Sequence, residues 1–131
     1  MILDILLVED DEIETLKFHK AVNKLNFKHK IHNAKNGEEA LDYCGRSFPN
    51  LVILDLNMPK MNGFELLKVM KSDDKLKSIP VIILTTSNNN SDLKRIYETG
   101  VSGYFVKPLR YSDYLIQIEK ILNYWSINQY I

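Results

Sequence analysis

Glu9, Asp10, Asp11 and Glu12 stand in a row directly after the apolar run ILLV of residues 5–8. Four adjacent carboxylates repel one another, and protonation or a bound cation relieves the repulsion. Three more residues with chemical capacity stand in the same relation to an apolar run. Asp55 follows LVIL (51–54), Thr85 follows VIIL (81–84) and Lys107 follows GYFV (103–106). A few clustered carboxylates suit Mg²⁺, which takes oxygen ligands, keeps several waters and meets phosphate groups. Zinc would call for His or Cys. A carboxylate is also a nucleophile toward phosphorus, and the product is an acyl phosphate. Its new oxygens can be taken by an ammonium such as Lys107 and a hydroxyl such as Thr85. Together Glu9, Asp10, Asp55, Thr85 and Lys107 point to phosphoryl chemistry, provided the fold gathers them at one place.

The elements between them say that it does. ILLV, LVIL and VIIL are continuously apolar, as expected of strands covered on both faces of a parallel sheet. KIHNA (30–34) and GYFV are weaker strand candidates. Amphipathic stretches lie between. Tyr114, Leu115, Ile118, Ile121, Leu122 and Trp125 form one helical stripe, and Phe18, Ala21, Val22 and Leu25 form another. Leu93, Ile96 and Tyr97 make a shorter one that ends at Gly100. NGEEALDYC and NGFELLKVMK each open a helix on Asn-Gly, and Ser91-Asp92 and Ser112-Asp113 read as two further starts. The order is βα five times, which predicts an open, doubly wound sheet with helices on both faces. A closed eight-stranded barrel needs roughly 250 residues. In doubly wound sheets the ligand lies outside the carboxyl ends of the strands, and that is where all five residues fall.

Composition narrows the function. The 131 residues carry 17 basic and 17 acidic side chains and are 45% hydrophobic, which suits a single domain over 1–131 with one core. A balanced charge without a basic stripe argues against nucleic acid as a partner. No apolar run approaches a membrane span, and the N-terminus has no signal-peptide pattern. The single cysteine, Cys44, fits a reduced, cytoplasmic setting and a small buried helix residue. His29 and His32 are three apart in a strand candidate and so point to opposite faces, which argues against a zinc pair.

The blocks ILLVEDD, VILDLNMPKMNG, PVIILTT and GYFVKPL resemble the four signatures of the response-regulator receiver domain of two-component signalling. The resemblance runs from about residue 3 to 125, and all four blocks occur in family order. Beyond it lies the short aromatic tail 126–131, and a stand-alone receiver without an output domain is expected. It implies a flavodoxin-like (βα)5 fold with strand order 2-1-3-4-5. It implies that Asp55 is the phospho-acceptor and that Glu9 and Asp10 hold Mg²⁺ with Asp55 and the backbone carbonyl of Asn57. Thr85 corresponds to the switch hydroxyl, Lys107 to the phosphoryl-binding lysine and Tyr104 to the aromatic switch position. The Lys107–Pro108 bond is usually cis in the family, which would aim the lysine inward. Met58-Pro59 and Gly63 match the loop and helix entry after the acceptor. Thr86 departs from the common pattern, where alanine or glycine is frequent, at a place bordering access to the phosphoryl group. The polar loop 86–92 predicts a mobile entry to the fourth helix.

On this resemblance the chain is expected to be a phosphorylation switch rather than a turnover enzyme. A sensor histidine kinase, with hybrid and phytochrome-like kinases among the candidates, would donate from phosphohistidine. The change would be read on the surface of the fourth helix, fifth strand and fifth helix. The alternative is a phosphorelay shuttle that passes the group to a histidine phosphotransfer protein, and the two stay open at this level. Trp125, Ile127, Tyr130 and Ile131 are apolar enough to pack on the body or to make a homodimer. A flavin-binding protein of the same topology is disfavoured, because acids after the first strand would repel the flavin phosphate. An aspartyl-phosphate phosphatase of the dehalogenase type wants a second aspartate where Asn57 stands. Which two of Glu9, Asp10 and Asp11 form the metal pair also stays open.

Overall fold

The computed structural model describes residues 1–56, 58, 62–86 and 93–128. Asn57, Pro59, most of the polar loop with its Ser91-Asp92 helix start, and Tyr130 and Ile131 lie outside the described residues. The elements run β1 (Asp4–Val8), α1 (Glu12–Lys24), β2 (Lys30–Ala34), α2 (Gly37–Arg46), β3 (Leu51–Leu54), α3 (Gly63–Ser72), β4 (Val81–Thr85), α4 (Leu93–Thr99), β5 (Gly103–Val106) and α5 (Tyr111–Ile127). The five strands form one parallel sheet in the order β2-β1-β3-β4-β5.

The order explains why three strands are easy to read and two are not. β1, β3 and β4 occupy the middle, and every residue in them except Asp4 is buried. β2 and β5 are the edges and are largely half-buried or exposed, so they tolerate Lys30, His32, Asn33 and Gly103. Alternate residues of the central strands feed two cores, as the period-2 pleat requires. Leu6, Val8, Val52, Leu54, Val81 and Ile83 pack on one face with Leu66, Leu67 and Met70 of α3. Ile5, Leu7, Leu51, Ile53, Ile82 and Leu84 pack on the other with Phe18 and Val22 of α1 and Ile118 and Leu122 of α5.

Helix entries are set by short polar side chains. Asp11 caps α1 by accepting hydrogen bonds from the Ile13 and Glu14 amides. Asn36 and Asn62 cap α2 and α3, so each Asn-Gly pair is a cap followed by the first helical residue. α5 differs from the expected Ser112-Asp113 start. Its N-cap is Arg110 without a side-chain bond, and the Tyr114 amide closes the first turn on the Arg110 carbonyl. Asp113 instead sits inside the first turn, where the helix dipole favours a carboxylate. The tail is split: Trp125 is buried in the core and Ile127 is exposed. Burial pushes the Cys44 thiol up to about 11, in keeping with an inert packing residue.

The histidines need one correction. His29 precedes β2 rather than lying in it, so the opposite-face argument does not apply to the pair. His32 is exposed and stacks on Tyr43, with ring centroids 4.0 Å apart. His29 is a fastener. Its Nδ1 accepts the Leu3 amide at 2.9 Å, its Nε2 lies 3.1 Å from Ser126 Oγ, and its ring stacks on Phe27. It thereby ties the start of β1 to the end of α5. Accepting at Nδ1 requires the neutral ring, and burial holds the His29 pKa below its ordinary 6.5. As pH falls through 6.5 the unfolded chain therefore takes up the proton before the folded one, and this part of the stability is lost. Urea unfolding at pH 8 and pH 5.5 should show a greater loss on acidification for the wild type than for His29→Gln, which does not titrate there. Equal losses would remove His29 as the cause.

Candidate functional site

The main chain itself positions the site. The Glu9 amide donates to the Ala34 carbonyl at 2.9 Å, the Asp55 amide to Val8 at 3.1 Å and the Lys107 amide to Thr85 at 2.8 Å. Each bond continues the parallel ladder one step beyond a strand, so each residue is pinned to its neighbour at the carboxyl edge. The register matches. Val8 is level with both Ala34 and Leu54, and Thr85 is level with Val106.

Carboxylate oxygens of Glu9, Asp10 and Asp55 all lie within 4.8 Å of one another. Glu9 is buried, Asp10 exposed and Asp55 between the two. Lys107 closes the group from the end of β5. Its Nζ is 2.9 Å from Glu9 Oε1 and 3.0 Å from Glu14 Oε1, with its side chain 6% exposed. Burial alone would lower the Lys107 pKa, but the two carboxylates outweigh it and hold it above its ordinary value. Glu9 goes the same way for the opposite reason. Burial, reinforced by Asp55, pushes it up to about 7 although the Lys107 ammonium pulls it down. A cation paired with the Glu9 carboxyl would oppose that rise and favour the ionised form.

Asp11, the open alternative, has another task. Its side chain caps α1, and its amide donates to Glu9 Oε2 at 3.3 Å. Glu12 lies in the first turn of α1 and faces the positive helix end. The gathered trio is thus Glu9, Asp10 and Asp55. Its donors are all carboxylate oxygens, one buried and one exposed, and they open into a cavity of about 550 Å³. That donor set and the room for water fit a hard divalent cation such as Mg²⁺. Neither His29 nor His32 belongs to the cluster.

The remaining residues separate by position. Thr85 is fully buried, and the cavity is lined instead by Thr86. Tyr104 is half-buried on β5 and packs against the core cluster that contains Met58 and Ile96. Asn57 lies outside the described residues, and so does its carbonyl. The Lys107–Pro108 bond is not cis, for no cis peptide bond occurs among the described residues. Lys107 points inward because Glu9 and Glu14 hold it there. Glu14 is a partner that residue types alone do not single out, since it stands two places beyond the row of four acids. The signal available was its place three residues after the Asp11 cap, where a side chain turns back toward the helix start.

Residues 5–119 match the family model for the response regulator receiver domain. The probable methanogenesis regulatory protein FilR2 of Methanothrix harundinacea is 40% identical over 127 residues, which cover 92% of this chain and 82% of that protein. The response regulator Rcp1 of Synechocystis sp. is 33% identical over 128 residues, 92% of this chain and 87% of its own. The crystal structure of the phosphorylated cyanobacterial phytochrome response regulator RcpA superposes with a TM-score of 0.89 at 32% identity, covering 97% of this chain and 96% of that one. The Mn²⁺-bound form of Rcp1 gives the same TM-score, 0.89, at 30% identity, covering 98% and 99%.

Gly63 is the tightest point of the site's support. Its amide donates to the Leu56 carbonyl, and a Cβ added there would sit 2.4 Å from the Asp55 carbonyl oxygen and 2.7 Å from the Leu56 Cα. Neither atom can yield without moving the backbone that carries Asp55. Gly63→Ala is expected to cost about 1–3 kcal/mol in urea unfolding, and amide NMR shifts should move at Asp55 and Leu56. An unperturbed spectrum with full stability would contradict this packing.

Proposed function

The chain belongs to the response regulator receiver domain family, and we propose on that premise that it is a phosphorylation switch whose acceptor is Asp55. The observation that carries the reading is the gathering of Glu9, Asp10 and Asp55 within 4.8 Å beside a buried Lys107. An Asp55 oxygen attacks the phosphorus of a phosphohistidine on a partner kinase. The O–P bond forms as the P–N bond breaks, and the departing imidazole keeps the electron pair and takes a proton from water. Glu9, Asp10 and Asp55 would hold Mg²⁺, which supplies positive charge against the phosphoryl oxygens when bound. The Mn²⁺-bound form of Rcp1 supports a divalent ion in a receiver domain of this kind.

The chain's own residues then read the new group. Lys107 donates to one phosphoryl oxygen, and its ammonium is already beside Glu9. Thr85 is enclosed, so a bond from its hydroxyl to a second oxygen requires the end of β4 to shift. Tyr104 lies on the neighbouring strand, level with Ile83, and its half-buried ring can follow that shift. The movement would alter the face of α4, β5 and α5, where Tyr97, Val106 and Ile116 are exposed. Similarity to the phytochrome response regulator RcpA supports a phytochrome-like kinase as donor. The reaction is stoichiometric, with one phosphoryl group held per chain until it is hydrolysed or passed on.

Incubation with acetyl phosphate and Mg²⁺ should add the mass of one phosphoryl group, in a form lost on treatment with hydroxylamine. Chelation of the metal and Asp55→Ala should each abolish it. Undiminished labelling of the Asp55→Ala chain, or steady turnover of a phosphate ester, would overturn the reading.

A further inference from the structure

Lys107 divides its ammonium between two carboxylates that differ in their relation to Asp55. Glu9 belongs to the trio whose oxygens lie within 4.8 Å, so a lysine on Glu9 is already next to the acceptor. Glu14 comes from α1 and is outside that trio. Lys107 makes no ion pair with Asp55 among the described residues, whereas its bond to Glu14, at 3.0 Å, is nearly as short as its 2.9 Å bond to Glu9. A lysine that is to bind an oxygen attached to Asp55 must move toward Asp55. The ion pair that holds it back is the one to α1.

Glu14 is also built to let go. Only its Oε1 is on Lys107, while its Oε2 lies 3.9 Å from Lys17 Nζ, one helical turn along. Lys17 is kept close by its position over the Tyr114 ring, 4.4 Å from the centroid. When Lys107 leaves, Glu14 therefore keeps a cation and no unpaired carboxylate is stranded. Glu14, Lys17, Lys107 and Asp55 line the same cavity, so the exchange takes place where an incoming phosphoryl group arrives.

From this we propose that Glu14 is a resting-state latch: a positioning residue that competes with the phosphoryl oxygens for Lys107 and sets the threshold for switching. The inference rests on the reading of Asp55 as acceptor. Loss of the Glu14 charge frees Lys107 and leaves the phosphoryl-bound arrangement unchanged, so the equilibrium moves toward that arrangement.

The test uses beryllofluoride, an anion that binds an aspartate as a phosphoryl mimic, titrated at saturating Mg²⁺ and followed by amide NMR. Glu14→Gln keeps the size and polarity of the side chain, and Glu12→Gln, in the same first turn and exposed, controls for charge alone. The expected result is affinity about threefold to tenfold tighter for Glu14→Gln, with Glu12→Gln close to wild type. Unchanged or weaker binding in Glu14→Gln would overturn the latch. An equal gain in Glu12→Gln would also overturn it, because a general charge effect would then suffice. A wild-type chain that binds no beryllofluoride at all would overturn the acceptor reading itself, a result distinct from the other two.

Discussion

Lys107 is the charge on which the site balances. Glu9 is 6% exposed, next to two other carboxylates, and its ionised form in that position needs a partner. Removing one member of a buried pair leaves the other uncompensated, at a cost of about 3–5 kcal/mol. The ion pairs from Lys107 to Glu9 and Glu14 join the end of β5 to the end of β1 and to the first turn of α1. Those links explain why three acids can stand together at the sheet edge, why the cluster still lacks positive charge, and why a divalent cation suits it. They also place the ammonium within reach of a group added to Asp55.

Beneath that electrostatic balance lies a rigid frame. The parallel ladder pins Glu9, Asp55 and Lys107 by their amides, so their spacing does not depend on side-chain contacts. Gly63 brings α3 against the backbone of Asp55 and Leu56 at a distance that no larger residue permits. The frame is firm where the proposed acceptor, Asp55, stands. The groups proposed to respond, Thr85 and Tyr104, occupy the last two strands of the sheet, β4 and the half-buried edge β5.

Most of this arrangement is legible from residue types, for a physical reason. Strands covered on both faces must be apolar throughout, so ILLV, LVIL and VIIL declare themselves, and the rule that ligands sit at carboxyl ends converts the residues after them into a site. The edge strands are legible only weakly, because a half-exposed strand is free to carry His32 or Gly103. The choice between Glu9 and Asp11 turns on where α1 begins, since the Asp11 side chain is engaged as its cap. Glu14 escapes a sequence reading because its role depends on how α1 lies across the end of β5. The inward aim of Lys107 is legible as an outcome and misattributed in cause, since ion pairs rather than a cis bond provide it. His29 is hidden in the same way as Glu14, since its partners Leu3 and Ser126 are 26 and 97 residues away.

The central claim is that one cation-binding trio and one lysine, gathered at the strand ends, receive a phosphoryl group on Asp55. The most direct measurement is a crystal structure of the chain with Mn²⁺ and beryllofluoride, the metal located by its anomalous signal. The account predicts a metal peak coordinated by Glu9, Asp10 and Asp55, beryllium bonded to an Asp55 oxygen, and Lys107 Nζ moved from Glu14 onto a fluoride. A metal held by Asp11 in place of Glu9, or beryllofluoride on another residue with Lys107 still bridging Glu9 and Glu14, would contradict it.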